Sequence, residues 1–117
     1  MIALKNVVAG NVLKEMSLAI RPKECLCITG KSSAELGTLF RILGTLEKPT
    51  SGTVEVDNVD MAALPPAVLQ LFRTRLGLVF DPPLLINHLT AGQNIALPLH
   101  LRGLQSDVIT KAADDLL

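Results

Sequence analysis

The chain has no Trp and no Tyr, and its only aromatic rings are three Phe. It therefore lacks the stacking platforms that hold successive bases of single-stranded nucleic acid. It has no charge excess either, with 11 Lys and Arg against 11 Asp and Glu. Nothing in that balance steers the chain toward nucleic acid or an acidic membrane surface. No apolar run approaches the roughly 18 residues of a membrane span. The N-terminus also lacks the basic start, apolar run and small-residue cleavage site of a signal peptide. A cytoplasmic chain without a span of its own is expected. Two cysteines are too few for a disulfide framework, and Cys25-Leu26-Cys27 without other ligands is poor zinc spacing. His88 and His100 stand apart from other ligand types, so no metal site is expected. Cys25 and Cys27 read as two small thiols buried on one face of a strand.

What is present is aliphatic: 49% of the residues are hydrophobic. A chain of this length forms at most one domain and can bury roughly two-thirds of its unfolded surface. Alternation predicts strands over residues 2–8 and 12–20, joined by a turn at Ala9-Gly10-Asn11. Pro22-Lys23 bends the chain into a buried strand over 25–29. A helix follows, with Leu36, Leu39, Phe40 and Leu43 on one stripe and Gly44 as its stop. Residues 53–56 form a short strand turned by Asp57-Asn58, and residues 65–74 a short helix with proline in its first turn. The apolar run 76–80, bounded by Pro82-Pro83, predicts a second buried strand. Thr90 caps a segment that Pro98 bends or ends. A last helix runs over 105–117, capped by Ser106, with Ile109, Ala112, Ala113 and Leu116 on one face.

The stretch Cys25-Leu26-Cys27-Ile28-Thr29-Gly30-Lys31-Ser32-Ser33-Ala34-Glu35-Leu36-Gly37-Thr38 has the layout of strand, glycine turn and helix. A working phosphate-binding loop reads G-x-x-x-x-G-K-[ST] at such a junction. Its backbone N–H groups cradle the phosphates, its Lys reaches the β/γ groups and its hydroxyl holds Mg²⁺. Counting from Gly30, the second glycine falls on Glu35, the lysine on Leu36 and the hydroxyl on Gly37. The frame is kept and the reactive parts are gone. A different register, using Gly30-Lys31-Ser32 as the G-K-S, would place the first glycine on Cys25, inside the strand.

A helix N-terminus after Gly30 still attracts an anion, by about 0.3–1 kcal/mol. Against this, a Glu35 charge about 4 Å from a phosphate costs up to about 4 kcal/mol at an effective dielectric near 20. Ser32-Ser33-Ala34-Glu35 also has the S-x-x-E pattern of a capping box. In such a box Ser32 accepts from the backbone of Glu35, and Glu35 reaches back to Ser32. Glu35 reads either as a built-in anion standing in for the ligand or as a solvated first-turn acid.

The order of these pieces resembles the N-terminal half of ATP-binding cassette (ABC) transporter ATPases, most closely the lipoprotein-releasing and cell-division type. Asn6-Val7 and Val12-Leu13-Lys14-Glu15-Met16-Ser17-Leu18 match the family's opening strands. Leu36 leads without gaps to Pro49-Thr50-Ser51-Gly52, whereas a register starting at Lys31 would need five extra residues. Arg75-Leu76-Gly77-Leu78-Val79-Phe80 matches the strand before the Q-loop. Leu89-Thr90-Ala91-Gly92-Gln93-Asn94-Ile95-Ala96-Leu97-Pro98-Leu99, followed by Leu101-Arg102-Gly103, matches the segment beyond it.

The resemblance implies an α/β fold, the N-terminal half of a P-loop NTPase (ABC ATPase) with an antiparallel β portion. Residues 1–117 would form a partial nucleotide-binding domain, with the strands of the C-terminal half absent. Apolar strand edges would then be left unpaired. The degenerate nucleotide-binding loop would comprise Gly30, Lys31, Ser32, Ser33, Glu35, Leu36, Gly37 and Thr38. Val8, Ala9 and Gly10 supply no ring for adenine, and Asp81 stands where the Q-loop glutamine is expected. No cofactor is expected, with ATP and Mg²⁺ binding only if the altered loop still holds them. The signature L-S-G-G-Q, the Walker B acid with its catalytic Glu, and the switch His do not occur in the sequence, so no catalytic residue is assigned.

Pro82, Pro83, Leu84, Leu85, Ile86, Asn87 and His88 match the segment that the family sets against a membrane permease. By residue type alone they also read as a proline-stiffened loop with core leucines. The partners implied are a permease subunit, an active ABC ATPase or a second copy, and the location is the cytoplasm, peripheral at the inner membrane. Three functions remain open on the sequence. The chain is a non-hydrolysing scaffold or regulator, part of an ATP-hydrolysing subunit with Lys31 as an off-register phosphate contact, or a module binding something other than nucleotide.

Overall fold

The computed structural model describes residues 1–116. Four strands form one antiparallel sheet: β1 (Ile2–Ala9), β2 (Leu13–Ile20), β3 (Ser51–Val56) and β4 (Val59–Asp60), in the order β2-β1-β3-β4. Helix α1 (Ser33–Leu43) falls between β2 and β3. After β4 come a 3₁₀ turn (Met61–Ala63), α2 (Pro66–Arg73), α3 (Ala91–Leu101) and α4 (Ser106–Asp114). The chain divides into two compact units, residues 1–76 and residues from 77 onward.

In the first unit, β1 departs from strict alternation. Simple period-2 placement would put Asn6 and Val8 on the face of Leu4. A bulge at Asn6, in the left-handed region with φ 49°, shifts the inward set to Val7 and Ala9. Ser17 Oγ accepts from the Asn6 N–H at 3.0 Å and holds the bulge. Gly52 has φ +83° beside it, and a methyl there would fall on the carbonyls of Lys5 and Asn6. Only glycine fits that crossing. Asp57 and Asn58, with φ 49° and 65°, close the β3–β4 hairpin as the sequence indicates.

The core joins sheet and helix: Leu4, Val7 and Val54 pack with Leu39, Ile42 and Leu69. On α1 the buried residues are Thr38, Leu39 and Ile42, while Phe40 is 52% exposed. The inward stripe is thus rotated from the expected one, because the sheet receives the Leu39–Ile42 edge. Gly44 ends the helix as expected. Arg73 at the end of α2 donates from Nε to Thr45 Oγ1 at 3.0 Å and from Nη2 to the Thr45 carbonyl, tying α2 to the turn after α1.

Two expected strands are not formed. Residues 25–29 and 76–80 carry no strand, and Cys25 and Cys27 are exposed rather than buried. Val79 is 99% exposed. Both runs are apolar enough for a buried parallel strand, but such a strand exists only through ladder partners on its neighbours. Among the described residues there are none.

In the second unit, Ile109 and Ala113 of α4 are buried and α3 packs against α4. Leu116, expected on that face, is largely exposed beyond the end of α4, and Leu117 lies outside the described residues. Ser106 is the first helical residue rather than the cap, and Gln105 at the cap position makes no side-chain cap bond. Helix α3 continues through Pro98 to Leu101. The ring removes only the N–H that would reach the Asn94 carbonyl, and Pro98 is exposed, so the helix tolerates it.

Candidate functional site

The expected phosphate loop lies in the first unit. A cradle of that kind needs the four residues after Gly30 to wrap as loop before the helix opens. Here α1 already begins at Ser33, leaving Lys31 and Ser32 as the whole connection. Ala34, Glu35 and Leu36 belong to the first turn of the helix, and the Leu36 N–H donates to the Ser32 carbonyl at 3.3 Å. The donors that would face a phosphate are partly consumed by helix formation.

Two side chains lie close to Gly30. A Cβ placed on Gly30 would meet Leu36 Cγ at 3.3 Å and a Glu35 carboxylate oxygen at 3.8 Å. Leu36 therefore lies against Gly30, with Glu35 beside it. The capping box is not completed. Ser32 is the cap, but its Oγ accepts from the Ala34 N–H at 3.2 Å rather than from Glu35, and no return bond from Glu35 is present among the described residues. Glu35 is exposed and instead borders a shallow cleft of about 420 Å³ with Asn11, Val12, Leu13, Lys14 and Met16. That cleft has no aromatic wall.

Of the remaining loop residues, Lys31 and Ser33 are exposed, Gly37 is half-buried and Thr38 is buried. The Thr38 hydroxyl accepts from Arg41 Nη2 at 2.9 Å, and Arg41 Nε pairs with Glu47 Oε2 at 2.9 Å. Arg41 is a residue that motif matching passes over. The signal was its position three residues after Thr38, one helical turn away.

The second expected site lies in the other unit. Asp81, Pro82, Pro83, Leu84, Leu85, Ile86, Asn87 and His88 are all exposed, with Leu84 at 74% and Leu85 at 63%. The reading of Leu84 and Leu85 as core leucines is thereby ruled out for the described structure. Asn94 organises the end of this segment. Its Oδ1 accepts from the Ile86 N–H at 2.8 Å, and its Nδ2 donates to the carbonyls of Ile86, Leu89 and Thr90 at 3.0–3.2 Å. Thr90 and Gln93 complete a reciprocal capping box at the start of α3. A shallow apolar cleft of about 500 Å³ opens here among Leu85, Ile86, Leu89 and Ile95. Among the described residues no group of three or more His, Cys, Asp or Glu is placed to hold a metal, and no helix is long and apolar enough to cross a membrane.

Comparison with known proteins is consistent across sequence and structure. The family profile described as ABC transporter matches residues 13–116. The macrolide export ATP-binding/permease protein MacB of Salmonella typhimurium is 41% identical over 107 residues, covering 91% of this chain and 16% of that protein. The methionine import ATP-binding protein MetN of Photobacterium profundum is 36% identical over 107 residues, covering 92% of this chain and 31% of its own length. Among solved structures, the dimeric post-hydrolysis state of the ATP-binding cassette MJ0796 bound to ADP and Pi superimposes with a TM-score of 0.87 at 33% identity. It covers 98% of this chain and 55% of the cassette. The chain thus spans less than a third of these curated relatives and about half of the solved cassette. The fold is the α/β N-terminal part of an ABC ATPase with its antiparallel sheet, and the chain belongs to the ABC transporter family.

Proposed function

We propose that this chain is an ABC ATP-binding-subunit-like protein deficient in ATP hydrolysis, acting as scaffold or regulatory partner of a membrane permease or an active ATPase. The observation that carries this reading is the seating of Leu36 against Gly30 on a helix that starts at Ser33. An aliphatic side chain occupies the position of the phosphate-binding lysine. It supplies no charge to a triphosphate and shields the glycine from it. Glu35 adds repulsion, reduced by solvent screening because it is exposed. Gly37 in place of the hydroxyl removes the Mg²⁺ contact, and Asp81 replaces the Q-loop amide with a shorter side chain.

The permease-facing role is supported by the exposed leucines 84 and 85 beside an apolar cleft. Exposed apolar residues gathered in one loop mark an interaction surface more often than a solvated one. A cytoplasmic position at the membrane periphery goes with that role.

A second reading rests on coverage. Because the chain spans only part of its relatives, it is equally compatible with being a piece of an ATP-binding, ATP-hydrolysing subunit. Lys31, exposed in the connection before α1, would then be the phosphate contact. A thermal melt with and without saturating Mg-ATP separates the two. A ligand at about 100 times Kd adds roughly 2.7 kcal/mol of stability. No shift supports the non-hydrolysing reading; a clear upward shift that disappears in Lys31→Ala overturns it in favour of the second.

A further inference from the structure

We propose that the hollow between the end of α1, β3 and α2 is a binding site for a small amphipathic acid, a free carboxylate with a tail of about eight carbons. The inference goes beyond the proposed function and is independent of the phosphate loop, because none of residues 30–38 lines this cavity.

The cavity holds about 240 Å³, and its walls are drawn from residues 42–73, all within the first unit. Ile42, Val54, Met61 and Leu69 form its apolar wall, and all four belong to the core cluster. Protein interiors pack to crystal-like density. Core atoms that face an open hollow therefore forgo contacts that a bound chain would restore. At about 30 Å³ for each water, the space equals roughly eight waters, and a methylene group is of similar size. A single short chain fills it, whereas a two-chain lipid does not fit.

The polar part of the wall selects an anion. Arg73 is half-buried and Lys48 is exposed, and both line the cavity. Arg73 uses Nε and Nη2 to hold Thr45, while its Nη1 has no hydrogen-bond partner among the described residues. Lys48 Nζ has no acidic partner among the described residues either. Glu47, the one carboxylate in the lining, is already paired with Arg41 Nε at 2.9 Å. A carboxylate head thus meets two cations that no acid neutralises. The guanidinium, already fixed by two hydrogen bonds, loses little freedom in binding it.

Thr45 is a second, independent indication. It is β-branched yet stands at φ 57°, in the left-handed region that such residues avoid. Backbone strain of this kind gathers at ligand clamps and persists only where surrounding contacts impose it. Here the two bonds from Arg73 impose it, and the same pairing sets the guanidinium at the wall of the cavity.

The test is a titration of the 117-residue chain with sodium octanoate, followed through the methyl signals of Ile42, Met61 and Leu69 by NMR. Octan-1-ol supplies a tail of the same length without the charge, and sodium phosphate supplies an anion without the tail. The expected result is a saturable shift of these methyls with octanoate, binding of octan-1-ol about ten-fold weaker, and no shift with phosphate. Arg73→Gln, which keeps a donor for Thr45, is expected to weaken octanoate about ten-fold. Lys48→Glu is expected to weaken it about three-fold and to leave octan-1-ol unchanged. Should Arg73→Gln fail to fold, Lys48→Glu decides, because its side chain is exposed and carries no ion pair among the described residues.

Any of four results would overturn the proposal. These are methyls that show no saturable shift or no ordered environment, shifts confined to other residues, octan-1-ol binding as tightly as octanoate, and an octanoate affinity unchanged in Lys48→Glu. No nucleotide is present and no loop residue is altered, so each of these results leaves the non-hydrolysing reading standing. A melt shift with Mg-ATP would equally leave this cavity untouched.

Discussion

Leu36 Cγ lies 3.3 Å, and Cδ2 3.4 Å, from where a Cβ on Gly30 would sit. Gly30 is thus covered by Leu36, the residue that the proposed register sets at the lysine position. The contact is apolar and local, six residues apart on one turn of chain. Under the proposed register it ties the absent lysine charge and the short connection before α1 to one cause. An aliphatic residue at position 36 gains by covering apolar surface, and the helix can extend back to Ser33 because nothing requires the intervening residues to wrap an anion.

Reversing the three altered positions should reopen the site. Glu35→Gly removes the carboxylate, Leu36→Lys restores the cation and Gly37→Ser restores the hydroxyl. A side chain at 37 would meet only Arg41 Nη1 at 3.4 Å, the movable end of a long residue. The triple variant is expected to show a stabilisation of roughly 2.7 kcal/mol at about 100 times Kd of Mg-ATP, against no shift in the parent. A melt of the triple variant that ignores nucleotide would mean that the loop is not what silences the site.

Leu84→Asp and Leu85→Asp should leave the fold alone. Both side chains are mostly solvent-exposed, so each change is expected to alter stability by less than about 0.5 kcal/mol. Under the proposed function, association with a permease should nevertheless be lost. Unchanged pull-down of the permease by either variant would remove this loop from the interface.

Asn94→Ala should loosen the segment entering α3. Four hydrogen bonds to Ile86, Leu89 and Thr90 disappear together. An expected cost of about 1–3 kcal/mol follows, moderated where water can replace the lost partner. Amide exchange at Ile86 reports it directly, and an unaltered rate there would show that the backbone holds this turn without Asn94.

Gly52→Ala should destabilise the first unit by about 2–4 kcal/mol. The left-handed conformation alone disfavours a side chain by about 1–2 kcal/mol, and overpacking adds a similar amount. Chemical denaturation followed by far-UV circular dichroism checks it. Unchanged stability would mean that β1 can move away from β3 at the Lys5–Asn6 crossing.

Two similar cap patterns show where reading from residues stops. Ser32-Ser33-Ala34-Glu35 and Thr90-Ala91-Gly92-Gln93 both fit a capping box, but only the second forms both arms. Thr90 enters its helix at φ −69°, ψ 168°, whereas Ser32 enters at φ −127°, ψ 128°. In the second geometry the hydroxyl meets the Ala34 N–H instead. A cap side chain can reach either the second or the third helical N–H, and the approach of the chain chooses between them.

The sequence by itself determined the strands β1 and β2, the Asp57-Asn58 turn, the existence of α1, α2 and α4, and membership of the ABC transporter family. Those features depend on periodicity, turn chemistry and residue order over short stretches. Only the tertiary structure decided that Ile42 rather than Phe40 faces the sheet, that α1 absorbs most of the loop, and that residues 25–29 and 76–80 remain outside any sheet. A helix satisfies its own backbone and can be read locally. A strand is defined by neighbours distant in the chain, so an apolar run becomes one only when another segment supplies the ladder.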